Sequence, residues 1–263
     1  MRAGAALALA ALLAVLLGGC ASTSSQPSGD ESEAERRSGI YLDLGVAYLR
    51  QGQPRKALRT LKKARNLDDG NARVYNALAL TYQALGFDDK AQTAFEEAID
   101  RDAGAPQVLN NFGVFLAKMG SYARARKQFE KALADPLYNT PETAYYNLGW
   151  LARRQGDADQ AEGMLRTALR LRADYPQARL ALARLMRNEG ELAKARKQLD
   201  AILKRHAEHV PAHQLAGEVA LARGNEASAQ HHFQEVVRLA PDGDAAAQAR
   251  NMLQRLDGGQ ENQ

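Results

Sequence analysis

Hydrophobic and polar positions recur along most of the chain with a period of 34 residues. An apolar segment that ends in glycine, LGVAYLRQG at 44–52, returns five more times in similar form. The closing glycines are separated by 34, 34, 36, 34 and 34 residues and are Gly52, Gly86, Gly120, Gly156, Gly190 and Gly224. Apolar residues at helical spacing before each glycine predict an amphipathic helix, and the glycine predicts a left-handed end to that helix.

A second helix is predicted after each glycine. Three positions repeat there, five, nine and twelve residues beyond the glycine, and the spacing of four and three places them on one helix face. They hold first an alanine (Ala57, Ala91, Ala125, Ala161, Ala195, Ala229), then a large apolar residue (Leu61, Phe95, Phe129, Leu165, Leu199, Phe233), then Ala64, Ala98, Ala132, Ala168, Ile202 or Val236. Seven residues before each glycine stands a small residue: Gly45, Ala79, Gly113, Gly149, Ala183 or Gly217. Small residues there allow two antiparallel helices to pack closely.

The pattern resembles the tetratricopeptide repeat. Six copies are predicted at about 38–71, 72–105, 106–141, 142–175, 176–209 and 210–243. The resemblance implies an all-α fold, a right-handed superhelical solenoid with a concave surface, because each unit buries its apolar face only against its neighbours. A stretch with an Ala/Met/Leu face predicts a capping helix at 244–256, and 257–263 is predicted to be a disordered tail.

The N-terminal residues 1–19 predict a lipoprotein signal peptide. A positive start is followed by an apolar run at 3–17 that is short for a transmembrane span. The run ends in Leu17-Gly18-Gly19-Cys20, which resembles the bacterial lipobox, so we expect the Cys20 thiol to take a lipid and to begin the mature chain. Residues 20–37 are small, polar or charged and predict a flexible tether.

The anchor also predicts a location. Ala21 follows Cys20, where the Asp associated with inner-membrane retention is absent. By analogy with that sorting rule, we expect the protein at the periplasmic face of the outer membrane, held by acyl chains rather than by a helix.

Composition excludes several function classes. The 263 residues are 45% hydrophobic and 25% charged, which excludes a polytopic membrane protein and a fully disordered chain. The single cysteine excludes a disulfide scaffold and a cysteine-based zinc cage. The net charge of +4 comes from interspersed basic and acidic residues, which favours a solvated mixed-charge surface. We expect no nucleic-acid partner.

Catalytic and metal motifs find little support in the sequence. No nucleophile stands in a recognisable motif, and the repeat-closing glycines belong to helix turns rather than to a phosphate loop. We therefore expect a non-enzyme without a cofactor other than the covalent lipid on Cys20. The five histidines all fall within 206–232, at His206, His209, His213, His231 and His232. His213 occupies a position that usually packs against the core and the adjacent pair points to different helix faces, so we expect no metal site.

Three further features narrow the resemblance. The spacing of 36 marks a two-residue insertion in DPLYNTPE (135–142), the segment LNNFG lies at 109–113, and a lipobox precedes six repeats. Together these look like the type IV pilus biogenesis/stability lipoproteins, called pilotins of the pilus secretin. The resemblance implies secretin subunits and other pilus assembly proteins as partners, secretin multimerisation at the outer membrane, and twitching or gliding motility. We expect a monomer.

In tetratricopeptide repeats the first helix lines the concave side, mainly through its second, fifth, ninth and twelfth positions. The resemblance implies a partner-binding groove of Leu42, Val46, Leu49, Asn76, Leu80, Gln83, Asn110, Val114, Tyr146, Trp150, Arg153, Leu180, Arg184 and Arg187. Asparagine can pair with a peptide backbone, and tryptophan and arginine are frequent interface hot spots. We expect the groove to take an apolar or amphipathic segment of a partner, with acidic groups towards its C-terminal end.

Two alternatives stay open. One is a tetratricopeptide lipoprotein that scaffolds periplasmic cell-wall enzymes or proteases, with an envelope phenotype and intact pili. The other is an enzyme accessory domain with a cryptic histidine metal site, which would carry metal when purified.

Overall fold

The computed structural model describes residues 32–102 and 104–260. Within these residues the chain forms thirteen α-helices and no strand. The helices are α1 (Glu33–Arg50), α2 (Pro54–Leu67), α3 (Ala72–Ala84), α4 (Asp88–Arg101), α5 (Pro106–Lys118), α6 (Tyr122–Leu133), α7 (Pro141–Arg154), α8 (Ala158–Leu171), α9 (Pro176–Asn188), α10 (Leu192–Leu203), α11 (Val210–Ala222), α12 (Glu226–Leu239) and α13 (Asp244–Gln260). The predicted all-α repeat solenoid is confirmed. We call α1, α3, α5, α7, α9 and α11 the A helices and α2, α4, α6, α8, α10 and α12 the B helices.

Proline residues mark the start of several helices, and glycine residues follow the end of each A helix. Proline occupies the first or second position of α2, α5, α7, α9 and α11, where its missing N–H needs no partner. All six glycines between the A and B helices have a φ between +69° and +83°, which confirms the predicted left-handed ends. Residues with a side chain rarely adopt this backbone conformation. Glycine therefore allows the tight turn that reverses the chain.

The two helices of a repeat pack through a small residue on A and a large residue on B. A Cβ added at Gly113 would lie 2.6 Å from the Phe129 ring, and one added at Gly45 would lie 2.6 Å from Leu61. The large B-helix residues are almost completely buried, with Phe129 at 1% exposure and Leu61 at 0%. This close approach is the packing that the alternation of small and large positions predicts.

Contacts between helices run only to near neighbours along the chain. Each A helix packs on its own B helix, and each B helix packs on the A helix of the next repeat. Helix α13 packs on α12 and α11 and buries Ala246, Ala249 and Leu256, so it covers the C-terminal end of the stack. The core is therefore a row of inter-repeat layers, as expected for a solenoid.

At both ends the helical region extends further than the sequence predicts. Helix α1 begins at Glu33, so residues 33–37 are helical and not part of the predicted tether. The reason is a capping box, in which the Ser32 hydroxyl accepts from the Glu35 N–H and the Glu35 carboxylate accepts from the Ser32 N–H. At the other end α13 continues to Gln260, four residues beyond the predicted cap, so residues 257–260 are helical and not part of the predicted tail.

The two-residue insertion forms an ordered turn between α6 and α7. The Leu137 N–H donates to the Asp135 carboxylate at 2.8 Å, and the Tyr138 and Thr143 hydroxyls lie 2.9 Å apart. Tyr138 is buried, whereas Leu137 at the tip is 86% exposed. The insertion thus lengthens the turn without interrupting the stack.

Candidate partner-binding face

The A helices form the inner side of the solenoid. Each A helix contacts the A helix of the next repeat, from α1·α3 to α9·α11, whereas no two B helices contact each other within the described residues. Helices that approach one another more closely lie on the inside of a curved stack. The concave face is therefore built from A helices, and it contains three clefts.

The first cleft lies between α1, α3 and the start of α5 and encloses about 580 Å³. Its apolar wall is formed by Leu42, Val46 and Leu49 of α1 and by Leu80 of α3, with Asn76 beside them. Charged residues of both signs stand around it, namely Asp43, Arg50, Arg73 and Asp102. Five predicted groove residues meet here. The cleft suits an apolar side chain with polar groups at its edges.

The second and third clefts share the walls formed by Tyr146 and Trp150. The second, about 240 Å³, lies between α5 and α7 and also includes Val114, Lys118 and Asn147. Trp150 is half-buried; its ring lies 6.4 Å from the Tyr122 ring in an edge-on arrangement, and the Arg154 guanidinium lies 5.7 Å from its centre. A large, partly exposed ring held by neighbours is well placed to anchor a partner.

The third cleft, about 160 Å³, lies between α7 and α9 and is basic. Arg153 and Arg184 line it with Leu180 and Gln177, and no carboxylate does so. Both arginines are exposed, and neither forms an ion pair within the described part of the chain. The polarity of the face thus changes from mixed charge at α1 to positive at α9, which favours carboxylates on the C-terminal side of a bound segment.

Three predicted groove residues lie outside these clefts. Asn110 is only 5% exposed and accepts a hydrogen bond from the Asn147 amide at 3.0 Å, so its prediction as a groove residue is corrected. Its amide is used between α5 and α7 because a buried polar group needs a partner. Arg187 forms an ion pair with Glu218 of α11, and Gln83 is half-buried away from the clefts.

A similar hydrogen bond between asparagine side chains involves Asn76. Its Oδ1 atom accepts from the Asn111 side-chain amide at 3.1 Å, and Asn76 also lines the first cleft. Asparagine therefore links neighbouring A helices as well as facing the groove. Sequence reasoning missed Asn147 and Gln177, which line the second and third clefts. Asn147 follows the fifth position of its repeat, so a wider stripe would have included it, whereas Gln177 stands on the second position, which the predicted groove left empty in every repeat.

The histidines gather around the joint between α11 and α12. The Nε2 atom of buried His213 lies 2.8 Å from the Ala207 carbonyl, so it carries the proton and donates. His213 Nδ1 then accepts from His232 Nδ1 at 3.1 Å. Burial, and then the charges of His213 and His231, lower the pKa of His232 to about 4. The two rings are thus joined at this site by a hydrogen bond between their Nδ1 atoms.

Neither a metal-binding cluster nor a membrane-spanning helix occurs in the part of the chain that the structure describes. No group of three or more His, Cys, Asp or Glu side chains is arranged to hold a metal ion there. Among the helices formed by the described residues, none has a stretch that is long and apolar enough to span a bilayer. The predicted signal peptide and the lipidation site Cys20 lie outside the described residues.

Known proteins resemble the chain over most of its length. The type IV pilus assembly protein PilF of Pseudomonas aeruginosa is 28% identical over 194 residues, covering 73% of this chain and 77% of that protein. A solved structure of Pseudomonas aeruginosa PilF superposes with a TM-score of 0.72 at 25% identity, covering 84% of this chain and 99% of that one. The structure of PilW, described as a widely conserved type IV pilus biogenesis factor, gives a TM-score of 0.72 at 29% identity, with 80% and 97% covered.

The chain is thus a tetratricopeptide-repeat protein related at low identity to the type IV pilus proteins PilF and PilW. The family model described as the tetratricopeptide repeat protein 21 N-terminal ARM repeat matches residues 40–225, which include the ten helices α2 to α11 in full and α1 from residue 40 onward. The chain belongs to this family of helical-repeat proteins.

Proposed function

We propose that this protein is an outer-membrane lipoprotein of type IV pilus biogenesis that acts as a pilotin. In this role it binds subunits of the pilus secretin through its concave face and promotes their localisation and multimerisation at the outer membrane. The observation that carries the proposal is the likeness to PilF, which extends over 99% of the PilF structure and is accompanied by sequence identity. A second pilus protein, PilW, is similar over 97% of its own length.

The concave face supports binding of a protein segment. The three clefts follow one another along the A helices, and eleven of the fourteen predicted groove residues line them. Apolar walls near α1 and free arginines near α9 fit an amphipathic segment that carries carboxylates at one end. The role needs no catalytic group and no cofactor, so we propose a non-enzyme, and we propose that it acts as a monomer.

A lipid on Cys20 would give the protein its sorting role. Eleven residues, 21–31, separate Cys20 from Ser32, the N-cap of α1. A short linker keeps a folded domain close to its anchor and raises the local concentration of anything that the domain binds. The membrane in which the anchor is inserted would thereby determine where the bound secretin subunit is located. Pilus assembly and surface motility would be the outcome.

The first experiment compares detergent-resistant secretin multimers in outer-membrane fractions from cells with the wild-type protein, without it, and with Cys20→Ala. We expect multimers to be lost in the deletion. With Cys20→Ala we expect them to form in the wrong membrane or to be depleted from the outer one. Unchanged multimers and intact pili in the deletion would reject the proposal. Cell-wall enzymes among the co-purified partners would then favour the envelope scaffold.

A second experiment tests the concave face. Trp150→Ala should weaken binding of the secretin segment by roughly 10- to 30-fold, since a central aromatic anchor commonly contributes that much. Phe87→Ala is a matched control, because Phe87 is an exposed aromatic residue that lines none of the three clefts. Circular dichroism melts verify that both variants are folded. Equal binding by the two variants would exclude the second and third clefts from the interface.

A further inference from the structure

Helix α2 has an unusual distribution of charge. Its fourteen residues include six basic side chains and no carboxylate: Arg55, Lys56, Arg59, Lys62, Lys63 and Arg65. The other five B helices each contain at least one carboxylate, and α4 contains five. The whole chain carries a net charge of only +4, so the positive charge of α2 is a local feature that the average composition conceals.

The basic side chains of α2 face solvent. Five of the six are exposed, and none forms an ion pair with a carboxylate within the described residues. Asp43, the carboxylate nearest to α2 in the α1 sequence, lines the first cleft on the concave side. The helix therefore presents a positive surface whose charges repel one another, and this surface favours an anionic partner.

Next to this charge lies an apolar end face on α1. Ile40 is 62% exposed and Leu44 is 41% exposed. The residues at the same two positions in the next repeat, Val74 and Leu78, are 0% and 1% exposed because they pack against the preceding B helix. The equivalent residues of the later repeats are likewise buried: Val108, Phe112, Ala144, Leu148, Ala178, Leu182, Ala212 and Ala216. No B helix precedes α1 in the described residues, so this face is uncovered, whereas α13 covers the opposite end.

Two tyrosines join the apolar and the basic parts of the surface. The Lys63 ammonium lies 5.7 Å from the centre of the Tyr41 ring, and the Lys56 ammonium lies 5.7 Å from that of Tyr48. Tyr41 and Tyr48 lie three and four residues from Leu44 and so share its side of α1. The end face thus combines Ile40, Leu44, Tyr41, Tyr48, Lys56 and Lys63 at the N-terminal repeat.

We propose that this end face docks on an anionic phospholipid bilayer and acts as a second membrane contact beside the lipid on Cys20. Lysines attract anionic headgroups, tyrosines favour the boundary between headgroups and acyl chains, and Ile40 and Leu44 enter the outer part of that boundary. The acyl chains would hold the protein at the membrane, and a basic surface beside them would orient the first repeat on the bilayer. The inference rests on the proposed anchor, because residues 20–31 would bring α1 and α2 to the membrane.

The observations favour a bilayer over a second copy of the chain. A contact between two identical end faces would bring two α2 helices together, with six uncompensated positive charges each. Like charges opposed across an interface disfavour association. A bilayer surface instead offers many anionic groups at once and accepts the scattered apolar side chains without a shaped pocket.

The test uses the chain from residue 20 onward with Cys20→Ala, so that no acyl group contributes. Its co-sedimentation is measured with vesicles of phosphatidylcholine alone and with vesicles of equal parts phosphatidylcholine and phosphatidylglycerol. We expect binding to the anionic vesicles that weakens as salt is raised. Lys56→Glu with Lys63→Glu should weaken this binding by roughly 30-fold or more, from the usual contribution of a basic residue near an anionic surface.

Matched controls separate the local effect from total charge and total hydrophobicity. Lys197→Glu with Lys204→Glu changes two exposed lysines of the same seven-residue spacing at the far end of the protein and should leave binding within about twofold of the parent. Leu44→Gln should weaken binding, whereas Leu171→Gln, at a leucine that is 52% exposed in α8, should not.

Even if the parent binds to vesicles, three results would overturn the proposal. They are equal binding to neutral and anionic vesicles, equal loss in the two double-lysine variants, and a concentration-dependent dimer in the parent that Leu44→Gln abolishes. Failure of vesicle binding with normal secretin multimers would reject the membrane contact alone. Vesicle binding without any effect of the protein on secretin would reject the pilotin function alone.

Discussion

At the residue scale, close packing within a repeat depends on how near the B-helix side chain lies to the A-helix backbone. Gly217 illustrates this, because a Cβ there would lie 2.6 to 2.9 Å from three atoms of the Phe233 ring. The equivalent residue in the second repeat is Ala79, which is fully buried beside the same kind of B helix. The sequence shows which repeats have glycine and which have alanine at this position, but only the coordinates show how closely a methyl group at Gly217 would approach the ring.

We therefore expect Gly217→Ala to lower the free energy of unfolding by about 1–3 kcal/mol, because the ring is 1% exposed and has little room to move. Gly163→Ala is the control: it lies within α8 and a Cβ there meets nothing within 4 Å. That change should stabilise the protein by about 0.5–1 kcal/mol through helix propensity. Urea unfolding followed by circular dichroism measures both. Similar effects of the two changes would contradict the packing argument.

The histidine pair gives a second residue-scale prediction, on pH dependence. The folded-state pKa of His232 is lowered to about 4, mainly by burial, while an unfolded histidine titrates near 6.5. His213, His231 and Arg196 also lower it, and Asp200 raises it. Between these values the unfolded chain binds more protons than the folded one, so stability is lost as pH falls through this window.

Because His232 is half-buried, its contribution is discounted to about 1–2 kcal/mol between about pH 7 and pH 4. We expect His232→Gln, which keeps a donor for His213, to lose less stability over this range than the parent by that amount. His231→Gln changes the exposed neighbouring ring and should follow the parent. Thermal melts at a series of pH values provide the measurement, and parallel curves for parent and His232→Gln would exclude the pair as a source of acid sensitivity.

At the element scale, the first and last helices differ from the internal ones. Helix α1 has no preceding B helix within the described residues and leaves Ile40 and Leu44 exposed, whereas α13 buries Ala246, Ala249 and Leu256 against the last repeat. Terminal helices with a polar outer side are what repeat proteins use to close a stack. The two ends therefore differ: α13 covers the apolar face of the last repeat, whereas no described helix covers Ile40 and Leu44 of α1.

We expect Ala249→Glu to displace α13, since it would place a carboxylate at a site that is 1% exposed. The cost should be about 2–4 kcal/mol, with faster amide exchange in α12 and α13 and little change in α1 to α4. Ala247→Glu, on the exposed side of the same helix, is the matched control and should leave exchange unchanged. Uniformly faster exchange along the whole chain after Ala249→Glu would contradict a neighbour-only solenoid.

At the scale of the whole molecule, the stack separates its surfaces. The A helices build the concave face with its three clefts, the N-terminal end carries the basic and apolar end face, and the C-terminal end is closed by α13. Because contacts reach only near neighbours, each surface can change without a rearrangement of the others. This separation suits a protein that would hold a membrane at one surface and a partner at another.

Much of this architecture follows from the sequence alone. The period of 34, the two helices per repeat, the left-handed glycines and the small-on-large packing are fixed by interactions within a repeat and with the next one. Such interactions are short in sequence and recur six times, so the pattern specifies them. Register on the A helices also indicated eleven residues that line the clefts, whereas their role in partner binding and the lipidation of Cys20 stay predictions from the sequence.

Only the tertiary structure decided the exposure of individual side chains. Asn110 and Asn76 hold related places on the A helices, yet Asn110 is buried under Asn147 while Asn76 lines a cleft. Ile40 and Val74 share one register, yet the first is 62% exposed and the second 0%. The physical reason is the same in both cases, because the exposure of a side chain depends on which neighbouring helix packs on it. Equivalent positions of a repeating pattern look alike in sequence even where their neighbouring helices differ.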